Sequence, residues 1–254
     1  MARYAFSDLH GNYNLWRQLV ARVQPDDELY CLGDIIDRGE NGFKICLELW
    51  QRPHTYFIKG NHEMMAIEAI PWLVQGQNRM NVVDNWMWNG GGKTWDDICE
   101  YYKNLSDENF NTICNNIINL FKGMKDRITL LNDSNQLIIL SHAGFTLGKE
   151  NHAELGWDRE HFWDEWPKDY TIPNTTPIQP SQIFLIHGHT PVQFLQRALE
   201  LGYIDSRVKV QKEPAPAVIN YCDGHKFDID LGTIISNRVA LFNLDTFEVI
   251  YLDE

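Results

Sequence analysis

Residues 4–10 read Tyr-Ala-Phe-Ser-Asp-Leu-His, residues 29–39 Leu-Tyr-Cys-Leu-Gly-Asp-Ile-Ile-Asp-Arg-Gly, and residues 56–63 Tyr-Phe-Ile-Lys-Gly-Asn-His-Glu. Each opens on a short apolar run of strand character, Tyr4 to Ser7, Leu29 to Leu32 and Tyr56 to Ile58, and then turns polar. Between them the apolar period lengthens to that of a helix. Leu15, Trp16, Leu19, Val20 and Val23 share one face, and Phe43, Ile45, Cys46, Leu49 and Trp50 belong to a second helix. A third helix is expected over His62 to Leu73. The order βαβαβα implies parallel strands with covering helices. It sets Asp8 and His10, Asp34 and Asp37, and Asn61 and His62 directly after the strands, where open α/β sheets gather ligands.

Farther along, residues 74–125 are rich in Asn and Trp, include Gly90-Gly91-Gly92, and predict helices near 94–103 and 107–123. We read this stretch as a cap or excursion inserted into a single domain of residues 1–254. Strand character returns at Arg127 to Leu131 and Leu137 to Ser141, around an Asn-Asp-Ser-Asn turn. A polar, proline-containing stretch covers about 165–180, and Ile183 to Ile186 predicts another strand. Arg197 to Pro216 gives no clear element. Phe227 to Ile235 and Arg238 to Ile250 predict closing antiparallel strands, the second folded at Leu244-Asp245-Thr246.

Composition narrows the function classes. Hydrophobic residues make up 44% of the chain and charged residues 22%, values of a globular domain and not of a disordered one. A formal net charge of −13 lacks the basic footprint that nucleic-acid backbones require, and it argues against an anionic membrane surface. An anionic substrate stays compatible, because bound cations can invert the local field. The cysteines at 31, 46, 99, 114 and 222 form no Cys-x-x-Cys pair, which points away from a disulfide framework or a thiolate zinc site. With no apolar run near ~20 residues and polar groups early at the N-terminus, a cytoplasmic protein is expected. Nothing in the sequence sets an oligomeric state.

Listing the strand ends together exposes the chemistry. They carry Asp8-x-His10, Gly33-Asp34-x-x-Asp37-Arg38-Gly39, Gly60-Asn61-His62-Glu63, Ser141-His142-Ala143-Gly144 and His187-Gly188-His189-Thr190. Taken singly, a histidine after a strand is usually a hydrogen-bonded structural residue, and an aspartate there usually caps the next helix. Five clusters of compatible donors at strand ends are another matter. Carboxylate oxygen and imidazole nitrogen suit divalent zinc, manganese or iron. Asp34 could bridge two ions, which at ~3.5–4 Å separation can share a hydroxide and clamp a phosphoryl group.

These motifs resemble those of the calcineurin-like metallophosphoesterases, in particular the small bacterial and phage members of the phosphoprotein phosphatase branch. The resemblance extends to Trp88-Asn89-Gly90-Gly91-Gly92, Trp157-Asp158-Arg159-Glu160, His189-Thr190-Pro191 and Ile229-Asp230-Leu231-Gly232. It implies an α/β fold, a two-sheet αββα sandwich. It assigns Asp8, His10 and Asp34 to one metal, and Asp34, Asn61, His142 and His189 to the other. By the same likeness His62 is the catalytic acid, Asp37 its carboxylate partner, and Arg38 and Arg159 bind phosphate. His187 falls outside the matched position and is read as structural, and Glu63 as a helix cap.

The implied activity is a two-metal phosphomonoester hydrolase, Mn²⁺-activated with Fe or Zn²⁺ as alternatives, acting on phosphorylated proteins or small phosphate esters. A symmetrical dinucleoside tetraphosphate hydrolase is the competing reading, and a non-catalytic metal-binding module a third. The dinucleotide hydrolases typically lack the second acidic residue that is Asp37 here, and carry Asp where this chain has Glu63. Both departures favour a phosphatase. Trp86, Trp88 and Trp95 are candidates either for stacking on substrate or for core packing.

Overall fold

The computed structural model describes residues 1–77, 79–147, 156–162, 166, 179–201 and 215–254. The expected alternation opens the chain: β1 (Arg3–Phe6), α1 (Tyr13–Val20), β2 (Glu28–Cys31), α2 (Gly42–Gln51), β3 (Thr55–Phe57) and α3 (Asn61–Val74). Strands β1, β2 and β3 run parallel in that order. The predicted closing hairpin is present as β9 (Arg238–Asn243) and β10 (Val249–Asp253), with β9 antiparallel to β1. This first sheet has the order β10-β9-β1-β2-β3.

The second sheet is built from β4 (Arg127–Leu131), β5 (Leu137–Ser141), β6 (Ile183–His187), β7 (Ile219–Tyr221) and β8 (Lys226–Asp228), in the order β4-β5-β6-β8-β7. Its centre, β5-β6-β8, is parallel, and both edge strands are antiparallel.

Side-chain alternation sorts these sheets into layers. Phe6, Leu29, Cys31, Val239 and Leu241 point to a core shared with Leu15, Trp16 and Leu19 of α1 and Ile45 and Leu49 of α2. Their neighbours Ala5, Tyr30, Ala240 and Phe242 face the other way and meet Ile138, Leu140, Ile186 and Phe227 of the second sheet. Leu137, Ile139, Ile183 and Leu185 line the far face of that sheet. Among the described residues the chain is therefore a mixed α/β sandwich of two five-stranded sheets with helices. Each fully buried Leu, Ile or Phe contributes roughly 1.5–3 kcal/mol, so the period-2 pattern fixes the register.

Helix α1 starts at Asn12, whose side chain accepts the Leu15 N–H at 3.0 Å. Residues 74–125 form α4 (Val83–Trp88), which the sequence reading did not foresee, α5 (Gly91–Tyr101) and α6 (Asp107–Gly123). They bury Val83, Trp86, Ile98, Cys114, Ile117 and Phe121 in the same core as Phe6 and Leu15.

One expected strand is corrected. Phe227 to Ile235 is strand only through Asp228, and α8 (Thr233–Ser236) follows. Asp228 accepts the Asp230 N–H at 3.1 Å, Asp230 accepts the Gly232 N–H at 2.8 Å, and Gly232 turns the chain at φ 63°. These side-chain bonds replace the ladder that the alternation suggested.

α7 (Val192–Glu200) follows β6. The unassigned part of Arg197 to Pro216 and the polar stretch at 165–180 fall mostly outside the described residues. Among the described residues, no helix is long and apolar enough to cross a membrane.

Candidate active site

The loops after β1, β2, β5 and β6 and the N-terminus of α3 converge at one end of the two sheets. Asp8, His10, Asp34, Asp37, Arg38 and His189 all hold left-handed backbone, with φ between 45° and 71°. Such conformations cost of order 1–3 kcal/mol each for non-glycine residues and persist where the surroundings determine them. Here the first two loops zip together. Asp8 N–H donates to Gly33 O (3.2 Å), His10 N–H to Asp34 O (3.0 Å), Gly11 N–H to Ile35 O (2.8 Å) and Gly39 N–H to His10 O (3.0 Å).

Glu63 completes the framework. Its Oε2 accepts the N–H groups of Gly60 and Asp34, each at 2.9 Å, and its Oε1 accepts that of Ile35 at 3.0 Å. The expected cap is there, and the same carboxyl also pins the β2 loop. Burial pushes its pKa up to about 7.

Within this framework Asp34 faces two ways. Its Oδ2 lies 3.8 Å from His10 Nε2 and 3.8 Å from His62 Nε2, and its Oδ1 lies 3.4 Å from His142 Nε2. Asp8 Oδ1 is 3.9 Å from His10 Nε2. Across the site, Asn61 Oδ1 is 3.0 Å from His142 Nε2 and 2.8 Å from His189 Nδ1. Two groups could each hold an ion, His10 with Asp34 and His62, and Asp34 with His142 and His189; within each, the ligand atoms lie within 4.8 Å of one another. His10 and His142 turn Nδ1 to the carbonyls of Ile36 (3.0 Å) and Leu32 (2.7 Å), so Nε2 of both faces the cluster.

The donor set fits divalent cations. His189 Nε2 is buried without a hydrogen-bond partner among the described residues. Burial raises the Asp8 carboxyl. In Asp34 burial is outweighed by His142, His62 and His10, which drive its pKa well below the ordinary range. Oxygen and imidazole donors around such buried carboxylates match manganese, iron or zinc.

His62 stands apart through its other nitrogen. Nδ1 lies 2.7 Å from Asp37 Oδ2, and Nε2 lies 3.0 Å from Arg38 Nη2. Arg38 Nη1 is 2.9 Å from His10 Nε2, so the guanidinium spans both rings. Asp37 is held by Trp86 Nε1 at 2.8 Å and Thr94 Oγ1 at 2.7 Å. Burial acts to lower the His62 pKa, but Asp34 and Asp37 prevail and raise it.

Trp86 is thus a buried partner of Asp37, while Trp95 packs edge-on against Phe110 and Trp88 lies exposed. Thr94 was not foreseen. It sits 57 residues from Asp37 in the chain, and no local pattern marks it.

Arg159 is exposed on the turn of residues 156–162. That turn abuts the second donor group: a Cβ at Gly156 would meet Met64 Sδ at 2.8 Å, and the Trp157 ring lies 6.1 Å from His189. The Arg159 charge is among those that lower the His189 pKa, after burial and His142. His187 points away from the donors, with Nε2 2.6 Å from the Tyr221 hydroxyl. That placement agrees with its structural reading.

The profile of the calcineurin-like phosphoesterases matches residues 1–229. The chain belongs to this family. Its members typically hold two divalent ions. Over 82 residues the chain is 34% identical to serine/threonine-protein phosphatase 2 of Escherichia coli, covering 29% of this chain and 37% of the relative. Over 75 residues it is 32% identical to a symmetrical bis(5'-nucleosyl)-tetraphosphatase of Haemophilus ducreyi, covering 28% of this chain and 27% of that one. These matches span well under half of either relative's length. A solved protein serine/threonine phosphatase from Saccharomyces cerevisiae aligns over 100% of this chain and 80% of its own, with a TM-score of 0.52 and 12% identity. That likeness is one of fold.

Proposed function

We propose that this calcineurin-like phosphoesterase is a metal-dependent phosphomonoester hydrolase that prefers phosphoserine or phosphothreonine side chains and also accepts small phosphate esters. The observation that carries the reading is the 2.7 Å contact between His62 Nδ1 and Asp37 Oδ2, which leaves Nε2 facing Asp34 and Arg38. Two divalent ions, one held by Asp8, His10 and Asp34 and the other by Asp34, Asn61, His142 and His189, would lower the pKa of a shared water and polarise the phosphoryl oxygens. Arg38 and Arg159 offer planar donor forks to the equatorial phosphoryl oxygens. His62 donates the Nε2 proton to the departing alkoxide. Asp37, itself fixed by Thr94 and Trp86, orients the ring and keeps it basic enough to be protonated beforehand.

The mixed oxygen and nitrogen donors favour Mn²⁺ as the activating ion, with Fe or Zn²⁺ accepted by the same set. A second reading, a symmetrical dinucleoside tetraphosphate hydrolase, draws support from the Haemophilus ducreyi likeness. The two differ in leaving group. A serine alkoxide is a poor one and needs a proton from His62, whereas a nucleotide phosphate is more acidic and needs it less. After chelation and Mn²⁺ add-back, kcat/KM should be higher on a phosphoserine or phosphothreonine peptide than on diadenosine tetraphosphate. The margin should shrink in Asp37→Asn, with the loss falling on the peptide. A tenfold preference for the tetraphosphate, ~1.4 kcal/mol in transition-state discrimination, would reject the phosphatase reading. Full activity in metal-free protein would reject the metal dependence.

A further inference from the structure

Behind the donor cluster lies a second group of buried polar side chains, His161, His187, Tyr221 and Lys226. Lys226 is 1% exposed, and its ammonium donates to the backbone carbonyl of His161 at 2.7 Å. The Tyr221 hydroxyl lies 3.1 Å from His161 Nδ1 and 2.6 Å from His187 Nε2. The His161 ring packs where Gly144 has no side chain: a Cβ there would come within 2.6 Å of it. Phe162 adds ring contacts at 5.5 Å to His187 and 5.3 Å to Tyr221.

Among the described residues, these contacts of residues 161 and 162 come from the second sheet and the loop after β5. An ammonium buried this far loses several kcal/mol of hydration unless it is compensated. One of its hydrogen bonds goes to a carbonyl in the short 3-10 turn Glu160–Phe162. Two residues upstream stands Arg159, exposed and on a long side chain. A guanidinium that must meet a phosphoryl group to within about 0.5 Å depends on where its backbone is fixed.

We propose that Lys226 is a positioning residue for Arg159: by clamping the His161 carbonyl, it holds the 156–162 turn where the guanidinium meets the phosphoryl group. The proposal rests on the reading of Arg159 as a phosphate ligand. Lys226→Met removes the ammonium and keeps an unbranched apolar stem, so the stem's packing is retained. We expect kcat/KM on an aryl phosphate to fall about tenfold, the lower end of losses for residues one step removed from the chemistry. Inhibition by inorganic phosphate should weaken by a similar factor, with metal content unchanged. Amide exchange in residues 156–162 should rise while β6 and α3 stay protected.

The deciding measurement is the double-mutant cycle with Arg159→Ala, in which Lys226→Met should cost less than twofold further. An equal loss from Lys226→Met with and without Arg159, or unchanged exchange in 156–162, overturns the proposal alone. Unchanged phosphate inhibition in Arg159→Ala removes the reading of Arg159 and the proposal with it. Should Lys226→Met not fold, Lys226→Gln enters the same cycle with the same expectations, since its shorter polar side chain falls short of the carbonyl.

Discussion

The two sheets deliver their shares of the site by different means. The first supplies Asp8, His10, Asp34, Asp37, Arg38, Asn61 and His62 from residues close together in the chain. It holds them by backbone bonds between neighbouring loops, reinforced by Glu63. The second supplies His142, His189 and the Arg159 turn from segments far apart in sequence. Long-range contacts hold these, among them His142 to Leu32 O, the His189 N–H to Asp8 Oδ2 at 3.0 Å, and Lys226 to His161 O. The first half is a preassembled frame, and the second is docked onto it. Of the six left-handed site residues, all but His189 lie in the first half.

Asp34 is where the halves meet, so changing it should break the comparison most completely. Asp34→Asn should lose both ions and leave turnover more than ~10⁴-fold below the parent, since one side chain faces both donor groups. Metal analysis checks this, and retention of both ions would exclude a bridging role. His62→Asn sharpens the contrast by removing chemistry without the frame. Turnover should drop ~10²–10⁴-fold with metal content preserved. Loss of the ion held by His10 and Asp34 would instead make His62 a ligand, as its place beside them allows.

Smaller effects separate frame from docked half. Glu63→Ala strands three buried N–H groups, so unfolding free energy should fall by roughly 3–5 kcal/mol. Metal affinity should weaken by about 10–100-fold. Denaturant titration alongside metal titration tests both, and a shift of stability without one of affinity would confine Glu63 to the helix cap. Trp86→Phe keeps the buried ring and deletes only the N–H to Asp37. A loss in kcat of about tenfold or less is expected, with metal content and KM little changed; a stability loss without a kcat change would make Trp86 core alone.

The frame was legible in the sequence because its signals are local. The period-2 runs before Asp8, Asp34 and Asn61 and the helical faces after them give strand, turn and helix without reference to distant residues. His142 and His189 could be placed at strand ends, and the structure brings them to the same cluster. Thr94 and Trp86 were not assignable to Asp37, because their contacts span 57 and 49 residues and depend on how α4 and α5 pack. Lys226 was silent for the same reason. The strand expected through Ile235 failed where alternation and turn chemistry compete. Asp228 and Asp230 alternate as strand residues would, yet their oxygens accept backbone N–H groups. Most of the polar stretch at 165–180 and of 197–216 lies outside the described residues.

The loops that bear the donors pack without room for a side chain at two glycines. A Cβ on Gly33 would lie 2.5 Å from Gly60 N, and one on Gly188 would overlap Ser7 and Asp8. In a saturation library these seams are dead positions, closed to every side chain whatever its chemistry. Selection for a new substrate must then draw its variation from the periphery, from residues such as Trp88, 86% exposed and two residues before Gly90, whose carbonyl receives the Arg38 N–H. A constant reaction and a drifting specificity would follow from the same lack of room.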